Sequence, residues 1–254
     1  MIRFGPAGLG GVKEALSNLE KYHQLGLKAC EIAFTYGVYI KRKEDGIKIG
    51  KRAKELGIQL SIHAPYYINL NSSDRIKIEQ SKKRLLNCLE AGTWMNADVV
   101  VFHPGFYSKM DKTETYENIK RAILDIEKEA KKKHYTAKLA PETTGKINVF
   151  GSLDETAKLV KETKCRFCID FAHILARERD YKFKEVFEKF KDKKFHIHFS
   201  GINYGAKGEL SHKKTPKSEL KRLLQNVPKN RDIVIINESP SPVNDSVMGL
   251  KMIR

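Results

Sequence analysis

Eight short apolar runs recur along the chain at intervals of roughly 30 residues, and a segment of helical period follows each. The runs are Ile2–Phe4, Ala29–Phe34, Gln59–Ile62, Asp98–Phe102, Ala137–Ala140, Arg166–Ile169, Phe195–Phe199 and Asp232–Asn237. Stretches such as Val12–Leu25, Asp74–Trp94 and Glu114–Lys133 lie between them and read as amphipathic helices. Strands that are apolar nearly throughout are covered on both faces, as in parallel sheets flanked by helices. Eight strand–helix units favour a closed barrel over an open doubly wound sheet. Gly5-Pro-Ala-Gly-Leu-Gly-Gly, after the first run, lacks the GxGxxG spacing of a dinucleotide-binding turn.

The expected fold is therefore α/β, a (β/α)8 TIM barrel forming one domain over residues 1–254. Only Val243–Arg254 follows the eighth run, so the last helix is expected to be short or incomplete. Ser72 or Ser73 is expected to cap the third helix and Ser152 the helix at Leu153–Thr163. Gly26 and Gly57 read as helix stops.

A barrel of this kind brings the C-terminal ends of all its strands to one mouth. His63, His103, Glu142, Asp170, His173, His198 and Glu238 each close an apolar run or lie within three residues of one. His63 and His103 are each followed closely by proline, which keeps the preceding chain extended. A carboxylate ending an apolar strand is costly unless paired or bound to metal, and no basic residue recurs at these strand ends. Imidazoles and carboxylates converging there suit zinc better than magnesium. His196 and His198 alternate on one strand and face the same way. His198, nearer the strand's end, is the candidate ligand, and His196 a supporting residue one layer deeper. His212, in the loop after the seventh strand, could reach back over the mouth. His23 and His134 fall in or after helices and receive no role.

Four cysteines in 254 residues do not form a disulfide framework, and Cys165 and Cys168 read as core packing. No apolar run approaches the ~20 residues of a membrane helix, and the opening residues do not form a signal peptide. A cytoplasmic, monomeric protein without membrane contact is the expectation. Lysine and arginine number 48 against 31 acidic residues, a net charge of +17. That surplus attracts polyanions and points to nucleic acid.

Six motifs, in order, carry a resemblance. They are His-Ala-Pro-Tyr-Tyr-Ile-Asn-Leu at 63–70, Phe-His-Pro-Gly at 102–105, Pro-Glu-Thr-Thr-Gly at 141–145, Cys-Ile-Asp-Phe-Ala-His at 168–173, Ile-His-Phe-Ser at 197–200 and Asn-Glu-Ser at 237–239. Together they resemble the endonuclease IV family of apurinic/apyrimidinic (AP) endonucleases, within the xylose isomerase-like barrels. The resemblance implies a zinc-dependent nuclease that cuts double-stranded DNA on the 5′ side of an abasic site through a metal-bridging hydroxide. By the same resemblance His63 and His103 hold one zinc, and Glu142, the catalytic carboxylate, bridges to a second. Asp170, His198 and Glu238 complete the second site, and His173 and His212 belong to a third. Tyr66 and Tyr67 match the residues the family inserts into the duplex.

The chain departs from the pattern at two places. The family's third zinc takes an Asp two residues before the loop histidine, and here that position is Leu210. Glu209 is the candidate substitute, so the expected zinc content is two or three ions. The loop Thr35-Tyr-Gly-Val-Tyr-Ile-Lys lacks the family's Asn-Pro-Arg. A metal-dependent sugar isomerase or epimerase on the same barrel would also use Glu142, Asp170, His173, His198 and Glu238 but not His63, His103 and His212, and a DNA-binding relative without catalysis would bind but not cut.

Overall fold

A computed structural model describes residues 1–253. Strands β1 (Ile2–Pro6), β2 (Ala29–Ala33), β3 (Gln59–His63), β4 (Val99–Phe102) and β5 (Lys138–Pro141) alternate with helices α1 (Ala15–Gln24), α2 (Lys43–Glu55), α3 (Arg75–Met95), α4 (Lys112–Lys132) and α5 (Leu153–Thr163). Strand β6 (Cys168–Asp170) then leads through α6 (Phe171–Glu178) and α7 (Phe183–Lys189) to β7 (Lys194–His198). A hairpin, β8 (Gly201–Gly205) and β9 (Gly208–Lys213), precedes α8 (Lys217–Asn226), β10 (Asp232–Asn237) and α9 (Pro242–Ile253).

Two parallel sheets, ordered β2-β3-β4-β5 and β1-β10-β7-β6, make up the wall. Single parallel bridges join their edges, Ala7 to Glu31 on one side and Glu142 to Cys168 on the other. The eight strands thus close into a TIM barrel. Burial explains their composition: every residue of β4, Val-Val-Val-Phe, is buried. Val100 and Phe102 join the main core beneath the helices, with Leu85, Leu89, Ile119 and Ile123. Val99 and Val101 form a separate apolar cluster with Ala140 and Cys168 on the inner face. Each large apolar side chain so buried contributes about 1.5–3 kcal/mol relative to exposure.

The helix ends follow local chemistry. Ser152 and Glu155 form a reciprocal capping box at α5. Gly26 and Gly57 adopt positive φ just past α1 and α2, as helix stops do. The cap of α3 differs from expectation: Asp74, not Ser72 or Ser73, accepts the Ile76 amide at 2.8 Å. Its carboxylate also complements the positive helix N-terminus, an advantage serine lacks. Helix α9, expected to be short, runs for 12 residues and packs against β1 and β10. Among the described residues no helix is long and apolar enough to cross a membrane.

The segment after β7, expected as a loop, is the hairpin β8–β9. It folds over the C-terminal end of the barrel and docks on the segment after β5. Gly208 bridges Lys146, and the Glu209 amide donates to the Gly145 carbonyl at 3.1 Å.

Candidate metal centre

Parallel register stacks the inward side chains in layers. Ser61 of β3 lies beside Glu31 of β2, and His196 of β7 beside Cys168 of β6. Two residues further along, His63, Asp170 and His198 form the layer at the mouth. Glu142, at the end of β5, sits at the centre and is fully buried. Its Oε2 lies 3.1 Å from His63 Nε2 and 3.0 Å from His103 Nε2. Its Oε1 lies 3.1 Å from His198 Nδ1 and 3.4 Å from His173 Nδ1. Glu238 Oε2 approaches the same His198 nitrogen at 3.3 Å.

Among the described residues four groups have ligand-capable atoms within 4.8 Å of one another; Cys168–His196–His198 lies one layer deeper, and three lie at the mouth. They are His63–His103–Glu142, Glu142–Asp170–His198–Glu238 and Asp170–His173–His212. Glu142 is common to the first two and Asp170 to the last two. The contacts of 3.0–3.3 Å that His63, His103 and His198 make with Glu142 and Glu238 resemble the edges of a zinc coordination tetrahedron, about 3.3 Å for bonds of ~2.0–2.1 Å. Two atoms in the cluster, Asp170 Oδ2 and His173 Nε2, are buried without a hydrogen-bond partner. Such atoms are rare in native proteins and call for an ion or water.

The imidazoles are oriented from behind. His63 Nδ1 faces the Ala64 carbonyl at 2.7 Å and His173 Nδ1 the Thr143 carbonyl at 3.0 Å. A proton on each Nδ1 leaves Nε2 with its lone pair toward the cluster, the usual arrangement of a metal-binding histidine. His212 Nδ1 contacts Ser200 Oγ.

Electrostatics reinforce the arrangement. Burial opposes charge on Glu142, yet His103 and His198 hold its carboxyl well below the ordinary range. Burial likewise opposes charge on Glu238, 11% exposed, yet His198 brings it to about 2. Asp170 goes the other way: burial raises it, His173 offsets this only in part, and the Glu142 charge adds to the rise. Burial alone would lower His63, but its hydrogen bond to Glu142 takes it up to about 9. This is the pattern of buried acids sharing protons with their imidazoles, a charge state that a divalent cation would replace.

The third group departs from the sequence pattern in an informative way. Leu210 is 71% exposed and offers nothing to the mouth. Tyr204 pairs with Glu209 while Asn203 pairs with Ser211, so Leu210 is the extra residue of a β-bulge. In an unbroken strand residues 209 and 212 would point to opposite faces. The bulge shifts that alternation and turns Leu210 to solvent. Glu209 thereby comes within 3.4 Å of His173 Nε2 and 3.9 Å of His212 Nε2. Burial works against its charge, but His173 brings its carboxyl to about 2. His212, expected in a loop, is carried by β9.

Tyr66 and Tyr67 are half exposed at the rim. The Tyr66 ring lies 4.9 Å from that of His63 and lines a cavity of about 360 Å³ with His103, Phe106, Lys146, Glu209 and Glu238. Tyr67 faces away from this cavity, under the Arg84 guanidinium at 4.8 Å. His23 bonds Leu56 and His134 ends α4, both away from the mouth. Cys168 is buried in the inner cluster, its thiol within 4.8 Å of ligand nitrogens of His196 and His198 and pushed well up by burial.

Sequence reasoning missed Glu31. It lies fully buried in β2, with Oε2 2.9 Å from His196 Nε2 and Oε1 2.8 Å from His198 Nε2. The available signal was one carboxylate inside the otherwise apolar run Ala29–Phe34.

The family described as "Xylose isomerase-like TIM barrel" matches residues 19–235. An uncharacterised protein of Methanocaldococcus jannaschii is 37% identical over 99% of this chain and 96% of its own length. A probable endonuclease 4 of Aquifex aeolicus is 27% identical over 56% of this chain and 51% of its own length, so the match spans about half of that relative. Endonuclease IV of Thermus thermophilus superposes with a TM-score of 0.72 at 22% identity, covering 99% of this chain and 97% of that one. A D-tagatose 3-epimerase-like protein superposes with a TM-score of 0.76 at 18% identity, covering 99% and 95%. At those identities the two structures speak for the fold alone.

Proposed function

The chain belongs to the xylose isomerase-like TIM barrel family, and within it we propose that the protein is a zinc-dependent endonuclease that cuts DNA on the 5′ side of abasic sites. One observation carries this reading: the His63–His103–Glu142 group shares Glu142 with the Asp170–His198–Glu238 group. An isomerase or epimerase on this barrel would use Glu142, Asp170, His173, His198 and Glu238. That reading leaves His63, His103 and His212 without work. Adjacent sites sharing a carboxylate suit phosphoryl chemistry instead. Dications ~3.5–4 Å apart lower the pKa of a shared water and stabilise both the attacking and leaving oxygens of an in-line displacement.

In this reading His63, His103 and Glu142 would hold one ion, and Glu142, Asp170, His198 and Glu238 another. His173 and His212 would hold a third, with Glu209 in the acidic position that Leu210 cannot fill. Tyr66, beside His63, forms a wall of the reacting pocket, and Tyr67 extends the rim toward flanking DNA. The surplus of basic residues, 48 against 31, supplies attraction for the phosphate backbone.

The test is a zinc-loaded preparation incubated with a duplex bearing a single abasic analogue. A nick on the 5′ side of the lesion, lost in His103→Ala with folding preserved, is the expected result. His103 is partly exposed, so truncating it leaves no large internal cavity. Nicking at the wild-type rate in this variant removes His103 from the centre. Binding without any nick leaves a non-catalytic DNA-binding protein, and epimerisation of a ketose without nicking favours the sugar reading.

A further inference from the structure

Below the mouth lies a layer that the three groups at the mouth do not explain. Glu31 is fully buried, yet among the described residues no lysine or arginine pairs with it. Its neighbours are the Ser61 hydroxyl, which donates to Oε2 at 2.8 Å, and the Nε2 atoms of His196 and His198. His198 Nε2 lies 2.8 Å from Glu31 Oε1 but is not aligned for a hydrogen bond, and among the described residues neither buried atom has a hydrogen-bond partner. A buried carboxylate is retained only where donors or a cation compensate it. Here Ser61 and His196 compensate Oε2, while Oε1 is left beside His198 Nε2 without a hydrogen bond.

Glu31 lies one layer below the mouth, with its oxygens 2.8 Å from His198 Nε2 and 2.9 Å from His196 Nε2. The opposite edge of the His198 ring faces the mouth, with Nδ1 between Glu142 and Glu238. A small rotation would aim a proton on Nε2 at the unpartnered Oε1 of Glu31 and leave Nδ1 with its lone pair toward the mouth. His63 and His173 are oriented by backbone carbonyls, whereas His198 is backed by a carboxylate. An anionic acceptor makes an imidazole a stronger donor than a neutral carbonyl does.

We propose that Glu31 is a positioning residue of the metal centre, holding His198 in its Nε2–H tautomer so that Nδ1 binds the ion shared by Glu142, Asp170 and Glu238. The inference rests on the metal-centre part of the reading above and is independent of what the protein cuts. Ser61 and His196 hold the carboxylate in place: both donate to Oε2 and leave Oε1 to His198.

The experiment has two arms, neither of which involves DNA. In the first, long-range ¹H–¹⁵N spectra of the zinc-loaded wild-type protein report the tautomer of His198. Protonation on Nε2 is expected, and protonation on Nδ1 overturns the proposal. In the second, Glu31→Gln, close in size but uncharged, is titrated with zinc against a chromophoric chelator. One class of zinc site should weaken by about 10–100-fold, the usual cost of losing an outer partner of a ligating histidine. Zinc affinity equal to wild type at every site overturns the proposal. If the variant does not fold, the wild-type spectrum still decides. A wild-type protein that binds no zinc removes the metal-centre reading itself, an outcome distinct from an unaltered Gln variant.

Discussion

Substitution of Gly145 tests the bulged hairpin most directly, because Gly145 is where β8–β9 touches the cluster. A β-carbon at Gly145 would stand 2.7 Å from Glu209 Cβ, 2.9 Å from Glu209 Oε2 and 3.0 Å from His173 Cδ2. Carbon atoms pack at about 3.5–4.0 Å, so the first contact requires a shift of close to 1 Å. Glu209 Cβ cannot swing aside, since it is fixed to a backbone whose amide bonds the Gly145 carbonyl. Gly208 approaches that carbonyl too closely to carry a side chain: its own β-carbon would fall 2.1 Å away. The hairpin must therefore lift as a unit and carry Glu209 and His212 outward. Overpacking of this kind costs roughly 1–3 kcal/mol, or about 2–12 °C in Tm for a chain of this length. Gly145→Ala should bind one zinc fewer per chain, measured by elemental analysis after dialysis, while the Glu142 sites remain filled. Leu210→Ala, on the exposed side of the bulge, should change Tm little and keep the full metal count. A Gly145→Ala protein with wild-type metal content and Tm would refute the argument that Glu209 reaches the cluster through this contact.

Two further outcomes follow from charge. DNA affinity should fall steeply with ionic strength: neutralising about six phosphates costs on the order of 10³ in affinity between ~50 and ~200 mM salt. A flat response in filter binding or anisotropy would separate the basic surface from DNA recognition. The metal-free protein should also lose stability as pH rises, because His63 is lifted from 6.5 to about 9 in the fold. The folded pKa exceeds the unfolded one, so the contribution is complete below pH ~6.5 and disappears as pH passes ~9. Its size is on the order of 3 kcal/mol. Zinc-loaded protein should lack this decline, since a ligating imidazole is already unprotonated; chemical denaturation of the apo form that is flat or rising across that window would contradict the Glu142–His63 pairing.

The wall of the barrel was legible because period and burial agree: continuous apolar runs mark strands buried on both faces. The ends of β3, β4, β5, β6, β7 and β10 could be marked from polar residues that have no reason to end apolar runs unless they share a task. Three things were not legible. The hairpin β8–β9 has an exposed, weakly apolar sequence, Gly-Ile-Asn-Tyr-Gly and Gly-Glu-Leu-Ser-His-Lys, and is held partly by docking on Gly145 and Lys146. The bulge at Leu210 depends on pairing between the two strands, which local sequence does not encode. Glu31 lies inside its strand rather than at the end, and its partner His196 is 165 residues away, so only barrel closure brings them together.

Charge balance ties these features into one argument about ion number. Five carboxylates, Glu31, Glu142, Asp170, Glu209 and Glu238, surround the cluster, and the ion pairs recorded for them are to histidines. Without metal, neutrality falls to protons on imidazoles such as His63, His173 and His198, all of which are shifted upward. Two dications would leave the five acids one negative charge in excess. Three would leave one positive charge, the complement of a single phosphodiester. The Glu209 bulge and the buried Glu31 therefore bear on the same quantity. Removing either acid from a three-ion centre makes it more cationic by one charge, which disfavours the ions and should strengthen the grip on a phosphate. Glu209→Gln should accordingly weaken zinc retention while, at saturating zinc, tightening inhibition by inorganic phosphate. Phosphate inhibition unchanged or weakened at full metal occupancy would argue against a charge balance of this form.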